Sequence, residues 1–560
     1  MTRYAKYGRL DTQLVESGDI AFTGMNSRDQ SNRLKPGEVA EAKNVRMDDG
    51  IITTRLGYSS QVDISSGALL TDELGNEIHL EQGGGIEVAD PLQGDFFAVT
   101  KYPGIGLSDK NQIAMVRESD VTFWNGSTLY SKEFQTSLLT DPVLPLSLDF
   151  ILGKENPSPK PYTVGGDIEP IQFNNQFILL SGSGPILPVN LEFTLRQDVQ
   201  KWDGGSSTQF VVDPEIPNGD FGVVVSNRLA IVTAPDIIEF SDIINESNYD
   251  IFGKFYIGVG DGDNITGITP VPESTCVVFK RNSIWGIGGL NTGVLTDAYI
   301  FHISKSSGCV SRHSIQTIGS AIFFLSDNGV FLIDVGIDGA TGRSVLTRFD
   351  LQNEPLSKPI NDQILSEDFS LAERNCRSAF YRNRYYLSFS TDQTSRCYIY
   401  NTLTGSWESR DEYNFRISDF VVARTTVDSQ EQLYVADRFG VLYKFDDGET
   451  DSGETINWEI STRSYDNDNL EIKNYRRGYI KSESLDSTGT TDLTVNLKEP
   501  DGSFAIPIER PEVESYIQRF SIGRRGNSLQ YNFKGTGRSK LKHCRAEFIE
   551  SNENLIQTYK

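Results

Sequence analysis

Apolar positions in this chain gather into short runs that come in pairs. Each pair sets Phe, Leu, Ile, Val or Tyr stretches on either side of a polar or Gly-bearing turn. In order they are NNQFILLSGSGPILPV from Asn174, SNRLAIVTAPDIIEFS from Ser226, ESTCVVFKRNSIWGIGG from Glu273 and SAIFFLSDNGVFLIDV from Ser320. YRNRYYLSFS with TSRCYIYNTLTGSWES follows from Tyr381, and EQLYVADRFGVLYKFDD from Glu431; an earlier copy, NQIAMVRESDVTFWNG, starts at Asn111. Such runs bounded by turn residues predict strands. Their recurrence at roughly fifty residues predicts radially arranged sheets: an all-β fold built on a β-propeller of about six blades, seven if the Asn111 copy counts.

The pattern divides the chain into four parts. Residues 1–60 form a leader in which Pro36, Glu38 and Glu41 predict a short helix over EVAEAKNV, and Asp49-Gly50 a turn into the strand IITTR. Residues 61–165 read as a mixed β region or insertion, with glycines at 83–85 and the Pro-rich linker GKENPSPKPYTVGG at its end. Residues 166–450 carry the propeller. In 451–560 the alternation of Leu493, Val495 and Leu497 and the Pro500–Gly502 turn predict a β-sandwich-like domain, forming a platform with the leader.

A chain of 560 residues exceeds one ordinary core; roughly three or four units of about 150 residues are expected. With 38% hydrophobic and 11% aromatic residues, cores can be filled and global disorder is excluded. The net charge of −25 disfavours tight phosphate binding; it fits simple solubility, and also a surface past which DNA slides without sticking. Cys276, Cys309, Cys376, Cys397 and Cys544 are far apart and odd in number, which predicts buried thiols in a reducing cytoplasm, without a zinc site or disulfide framework. MTRYAKYGRLDTQ lacks the apolar core of a signal peptide, and no apolar run approaches the roughly 20 residues of a membrane span.

Candidate chemistry is sparse. Asp261, Asp263 and Asn264 resemble part of a calcium loop but lack its further ligands, so a tight turn is the better reading. Gly258, Gly260 and Gly262 have the wrong spacing for a dinucleotide fingerprint. Ser326–Gly329 faintly resembles an Asp-box turn, and a hairpin explains it. His79, His302, His313 and His543 are scattered, and no GxSxG elbow occurs. The expectation is therefore a chain without enzymatic activity, catalytic residues, metal or cofactor. One segment stands apart: Gln518 to Arg545 holds Arg519, Arg524, Arg525, Lys534, Arg538, Lys540, Lys542 and Arg545 and no acidic residue. Three readings stay open for it: a solvated strand face, a docking surface for an acidic neighbouring subunit, or DNA contact.

Several segments resemble a known family. GMNSRDQSNRLKPGEVAEAKNVRMDDGIITTRLGY, through Gly24, Asn26, Leu34, Gly37, Glu38, Asn44, Gly50, Arg55 and Gly57, is similar to the leader of the tail nozzle proteins (tail tubular protein B) of short-tailed bacteriophages. ITGITPVPESTCVVFKRNSIWGIGG, the Ser306–Ser311 run with IFFLSDNGVFLI, and KNYRRGYI with IGRRGNSLQYNFKG resemble their later parts. The resemblance implies a virion structural protein made in the bacterial cytoplasm. It further implies a homo-hexamer below the head-to-tail adaptor ring, passage of genomic DNA without specific binding, and anchorage of a tail fibre or spike. The basic residues of 518–545 are then the candidate assembly interface. The competing classes are a carbohydrate-binding or carbohydrate-degrading propeller and a monomeric protein-binding propeller.

Overall fold

The computed structural model describes residues 15–63, 98–133, 169–180, 199–338, 346–466, 471–500, 503–507 and 516–550, with short interruptions at 20, 103–111, 117–119, 128, 175, 204–209, 272–274, 292, 439 and 486–489. The Pro-rich linker, the glycines at 83–85, His79, and Asp501 and Gly502 of the predicted turn lie outside the described residues. Those described are all-β, their α-helices being two single turns, Asn361–Ile364 and Ala372–Asn375. Among them no helix is long and apolar enough to cross a membrane.

Six small sheets are arranged as the blades of a β-propeller. Blades one to five are four-stranded antiparallel meanders at 98–133, 169–212, 221–256, 265–304 and 316–351. Blade six joins Ile417–Ala423, Gln432–Asp437 and Val441–Phe445 to Tyr58–Asp63 from the leader, with the hairpin of Thr450–Asp451 and Glu454–Thr455 at its edge. Between blades five and six stands one more four-stranded meander, Cys376–Tyr381 to Ser406–Tyr413, which is the end of a 15-stranded sheet. Its first strand lies beside that of blade six, which lies beside that of blade one, so the ring closes through this bridging meander.

In every repeat the first apolar run forms the second strand of a sheet, as in Gln112–Val116, Gln176–Leu180, Arg228–Ala234, Thr275–Lys280 and Ala321–Ser326. These strands are apolar without alternation because both their faces are covered; Ile113 to Val116 and Cys276 to Phe279 are all fully buried. The Asn111 copy is thus blade one, lying between blades six and two. Ser226 with Asn227, and Arg382 with Asn383, take positive φ in two-residue hairpin turns, whose twist matches that of the flanking strands.

The rest of the 15-stranded sheet is a platform shared by the two ends of the chain. Leader strand Glu38–Lys43 pairs with Asn457–Thr462, and Ile51–Thr54 pairs with both Val45–Asp48 and Ser539–Glu550, while Val15–Asp19 borders the latter. Met25, Val39, Val45 and Ile52 share one core with Trp458, Tyr475, Leu493, Val495, Phe533 and Phe548, and with Leu325 and Leu387 of the propeller. Burying side chains of this size contributes on the order of 1.5–3 kcal/mol each.

The predicted helix at Glu38 is a strand. A β-bulge shifts the register from Val39↔Thr462 to Glu41↔Ser461 and turns both Val39 and Ala42 inward. Pro36, Glu38 and Glu41 suit a helix start, but the cross-chain ladder with Asn457–Thr462 decides the local structure, and the bulge is one extra residue in it. Asp49-Gly50 does form a hairpin turn, with both residues at positive φ between Val45–Asp48 and Ile51–Thr54.

Candidate functional site

The basic residues of 518–545 lie on Tyr516–Thr536 and Ser539–Glu550, with Arg538 in the turn between them, and the two strands flank Lys473–Ser484 in the platform. Register sets Arg519 and Arg545 opposite Tyr479 from either side, and Ile517 and His543 opposite Lys481. The Arg519 guanidinium sits 5.6 Å from the Tyr479 ring centroid, and the Tyr479 hydroxyl donates to Glu547 Oε1 at 2.5 Å. Burial, then Arg545 and Lys481, lowers the pKa of His543. Lys534 pairs with Glu459 at 2.7 Å, Lys542 with Glu483 at 3.0 Å, and Arg538 with Glu449 at 3.6 Å. Arg524 and Arg525 pair in register with Tyr475 and Asn474, next to a bulge, and Lys540 meets Thr53 of the leader. The eight thus divide, and the outward row Arg519–Tyr479–Arg545 with Lys481 is the part they bring together.

A second polar site, which the sequence pattern did not reveal, joins the leader to the propeller. Arg46 grips buried Asp411 with Nη1–Oδ1 at 3.1 Å and Nη2–Oδ2 at 2.7 Å. Arg55, 1% exposed, donates to both carboxylate oxygens of Asp451 at 2.7 and 2.6 Å and to Asn44 Oδ1 at 3.1 Å, and stacks 4.6 Å from the Tyr413 ring centroid. Burial acts to raise the pKa of Asp411, but Arg46 and Arg55 outweigh it and hold the carboxyl below its usual range. Buried bidentate pairs of this kind fix geometry more than they add stability.

An open cleft of about 700 Å³ separates the Arg382 turn of the bridging meander from blade six. Phe380, Tyr381, Arg382, Arg424, Gln430 and Glu431 line it. Its volume is in the range of small-ligand sites, and it combines aromatic faces with two guanidinium groups.

The remaining candidates have local roles. Asp261 accepts from Lys280 Nζ at 2.8 Å, and Asp263 accepts from the backbone N–H groups of Arg281 and Asn282, so these carboxylates hold blade-four strands in place. Ser326–Gly329 is a hairpin turn whose Asp327 reaches Arg281 of the neighbouring blade at 2.6 Å. His302 packs on Trp285, and the half-buried His313 is held well below the usual histidine range, first by desolvation and then by Arg377 and Arg312. All five cysteines are free and buried, and burial pushes Cys276 and Cys544 up to about 12.

No family model and no curated protein matches the chain. Among solved structures it is similar to dihydro-heme d1 dehydrogenase NirN in complex with DHE, at 9% identity and TM-score 0.30, over 72% of this chain and 65% of that one. It is similar to a glycoside hydrolase family 43 arabinoxylan arabinofuranohydrolase from Bacillus subtilis in complex with cellotetraose, at 8% identity and TM-score 0.22, over 69% and 96%. A luciferin-regenerating enzyme gives 9% identity and TM-score 0.28, over 50% and 90%. All three bear the names of enzymes, which corrects the expectation of a chain without catalytic activity. At this level of likeness no substrate or reaction passes to this chain.

Proposed function

We propose that this chain is a virion structural protein of the tail-nozzle type, a ring-forming conduit subunit that contacts a head-to-tail adaptor and a tail fibre or spike. The observation that carries the reading is the shared platform. The leader segments that resemble the nozzle family are the ones that pair with the C-terminal strands and lock onto the propeller through Arg46, Arg55 and Asn44. The basic row on this platform, in a chain of net charge −25, supplies an assembly surface by charge complementarity. An otherwise acidic wall lets a polyanion slide past without adhesion. Negative-stain images of the purified full chain, with mass spectrometry of virions carrying it, test the reading. Rings and virion incorporation are expected; isolated particles at every concentration and absence from virions would overturn it.

The cleft beside Arg382 favours a second reading, a carbohydrate-binding or carbohydrate-degrading propeller. Aromatic faces and guanidinium groups suit an oligosaccharide bearing carboxylates. Binding or turnover of host polysaccharide that is lost in Arg382→Ala and Arg424→Ala would favour this reading over the conduit.

A further inference from the structure

The outer edges of blades three and four carry an apolar surface that the core does not use. Along blade three the register jumps from Glu239↔Lys254 to Ser241↔Tyr249, so residues 250–253 bulge out of the ladder. The bulge presents Ile251, 81% exposed, and Phe252, 57% exposed. Gly253 returns the chain to the sheet where a Cβ would come 2.6 Å from the Phe240 carbonyl oxygen. Tyr256 and Val259 continue the surface, and Val294 and Tyr299 extend it across blade four, whose Leu295–Asp297 turn touches Asn245–Tyr256. The charged residues around it are mainly acidic: Asp250 and Asp297 are exposed, and Lys254 is matched by Glu239 at 2.9 Å. Large apolar side chains exposed together mark interaction sites.

We infer that this edge docks on the basic platform row of a second copy of the chain. The inference rests on the assembly reading above and names its two faces. The platform row has the matching chemistry: Ile517, 48% exposed, lies opposite Lys481 and beside the Arg519–Tyr479–Arg545 row. An apolar peg with an acidic rim then meets an apolar spot with a basic rim. Because the two faces differ and belong to one chain, the contact is head-to-tail, the kind that builds a ring when its rotation closes.

The test uses the full-length protein in sedimentation-velocity runs across concentration and salt. Phe252→Asp with Ile251→Asp disables the peg, and Arg519→Glu with Arg545→Glu disables the row; Ile251, Phe252 and Arg519 are exposed and Arg545 is half-buried, and circular dichroism checks the fold. Each double variant alone is expected to sediment as a monomer, needing at least about tenfold more protein to associate. Mixed one to one, they should form dimers and nothing larger, since only one peg and one row remain. Wild-type rings with variants that assemble equally well would overturn the inference and leave the assembly reading standing. A wild-type chain that stays monomeric throughout would overturn the inference, and the assembly reading falls with it only if the chain is also absent from virions.

Discussion

Asp411 and His313 make the fold sensitive to acid. Asp411 sits between Arg46 and Arg55 with its pKa depressed, so its contribution is complete above the ordinary aspartate value and is lost as pH falls through the lower folded-state value. Asp411→Asn takes the carboxylate from the buried Arg46 guanidinium, while Arg55 keeps Asp451, and is expected to cost about 3–5 kcal/mol at neutral pH while flattening the acid limb, as chemical denaturation at several pH values will check. His313 behaves the same way at higher pH. Its folded value is depressed, so its stabilising effect is full above about 6.5 and declines as pH falls below it. His313→Gln should remove that first loss between neutrality and pH 5 in thermal melts. The residue types were legible in sequence, but their partners were not: Arg46 finds Asp411, and Arg55 Asp451, across most of the chain, and no local spacing encodes that.

Among elements, the strands with two covered faces were the most legible, because continuous apolar runs such as CVVF and IFFLS leave little alternative. Glu38–Lys43 was misread because Pro36, Glu38 and Glu41 suit a helix start, whereas the partner that makes it a strand, Asn457–Thr462, is more than 400 residues away. The charges of 518–545 were plain in sequence, whereas the pairing of Lys534, Arg538 and Lys542 with Glu459, Glu449 and Glu483 depends on cross-strand register. The Tyr58–Asp63 strand yields a sharper expectation. Tyr58 meets Tyr413, Phe415, Tyr443 and Phe445 with ring centroids 5.2 to 6.0 Å apart, and Gly57 before it leaves room for the Thr450 carbonyl oxygen, 1.9 Å from where a Cβ would sit. Tyr58→Ala should cost about 3–5 kcal/mol by analogy with buried aromatic truncations. Gly57→Val should expose Val441–Phe445 to hydrogen exchange while leaving blades two to four protected.

For the whole molecule, the platform and propeller share one core, so they should unfold together. Deleting residues 1–63 would remove strands from both, and differential scanning calorimetry of that variant should show a lowered and broadened transition. The blade ring was foreseeable from the repeat. The bridging meander was not: its sequence resembles the other units, and only its outer strand's contact with Glu38–Lys43 makes it part of the platform.

The shared sixth blade has a consequence for biosynthesis. Tyr58–Asp63 leaves the ribosome early, yet its partner Val441–Phe445 is among the last parts of the propeller to be made. At about 5–20 residues per second, the early strand waits some tens of seconds with a bare edge. Throughout that interval the nascent chain can pair edge to edge with a neighbour on the same polysome, so slower translation beyond residue 63 should raise aggregation more than slower translation beyond residue 445.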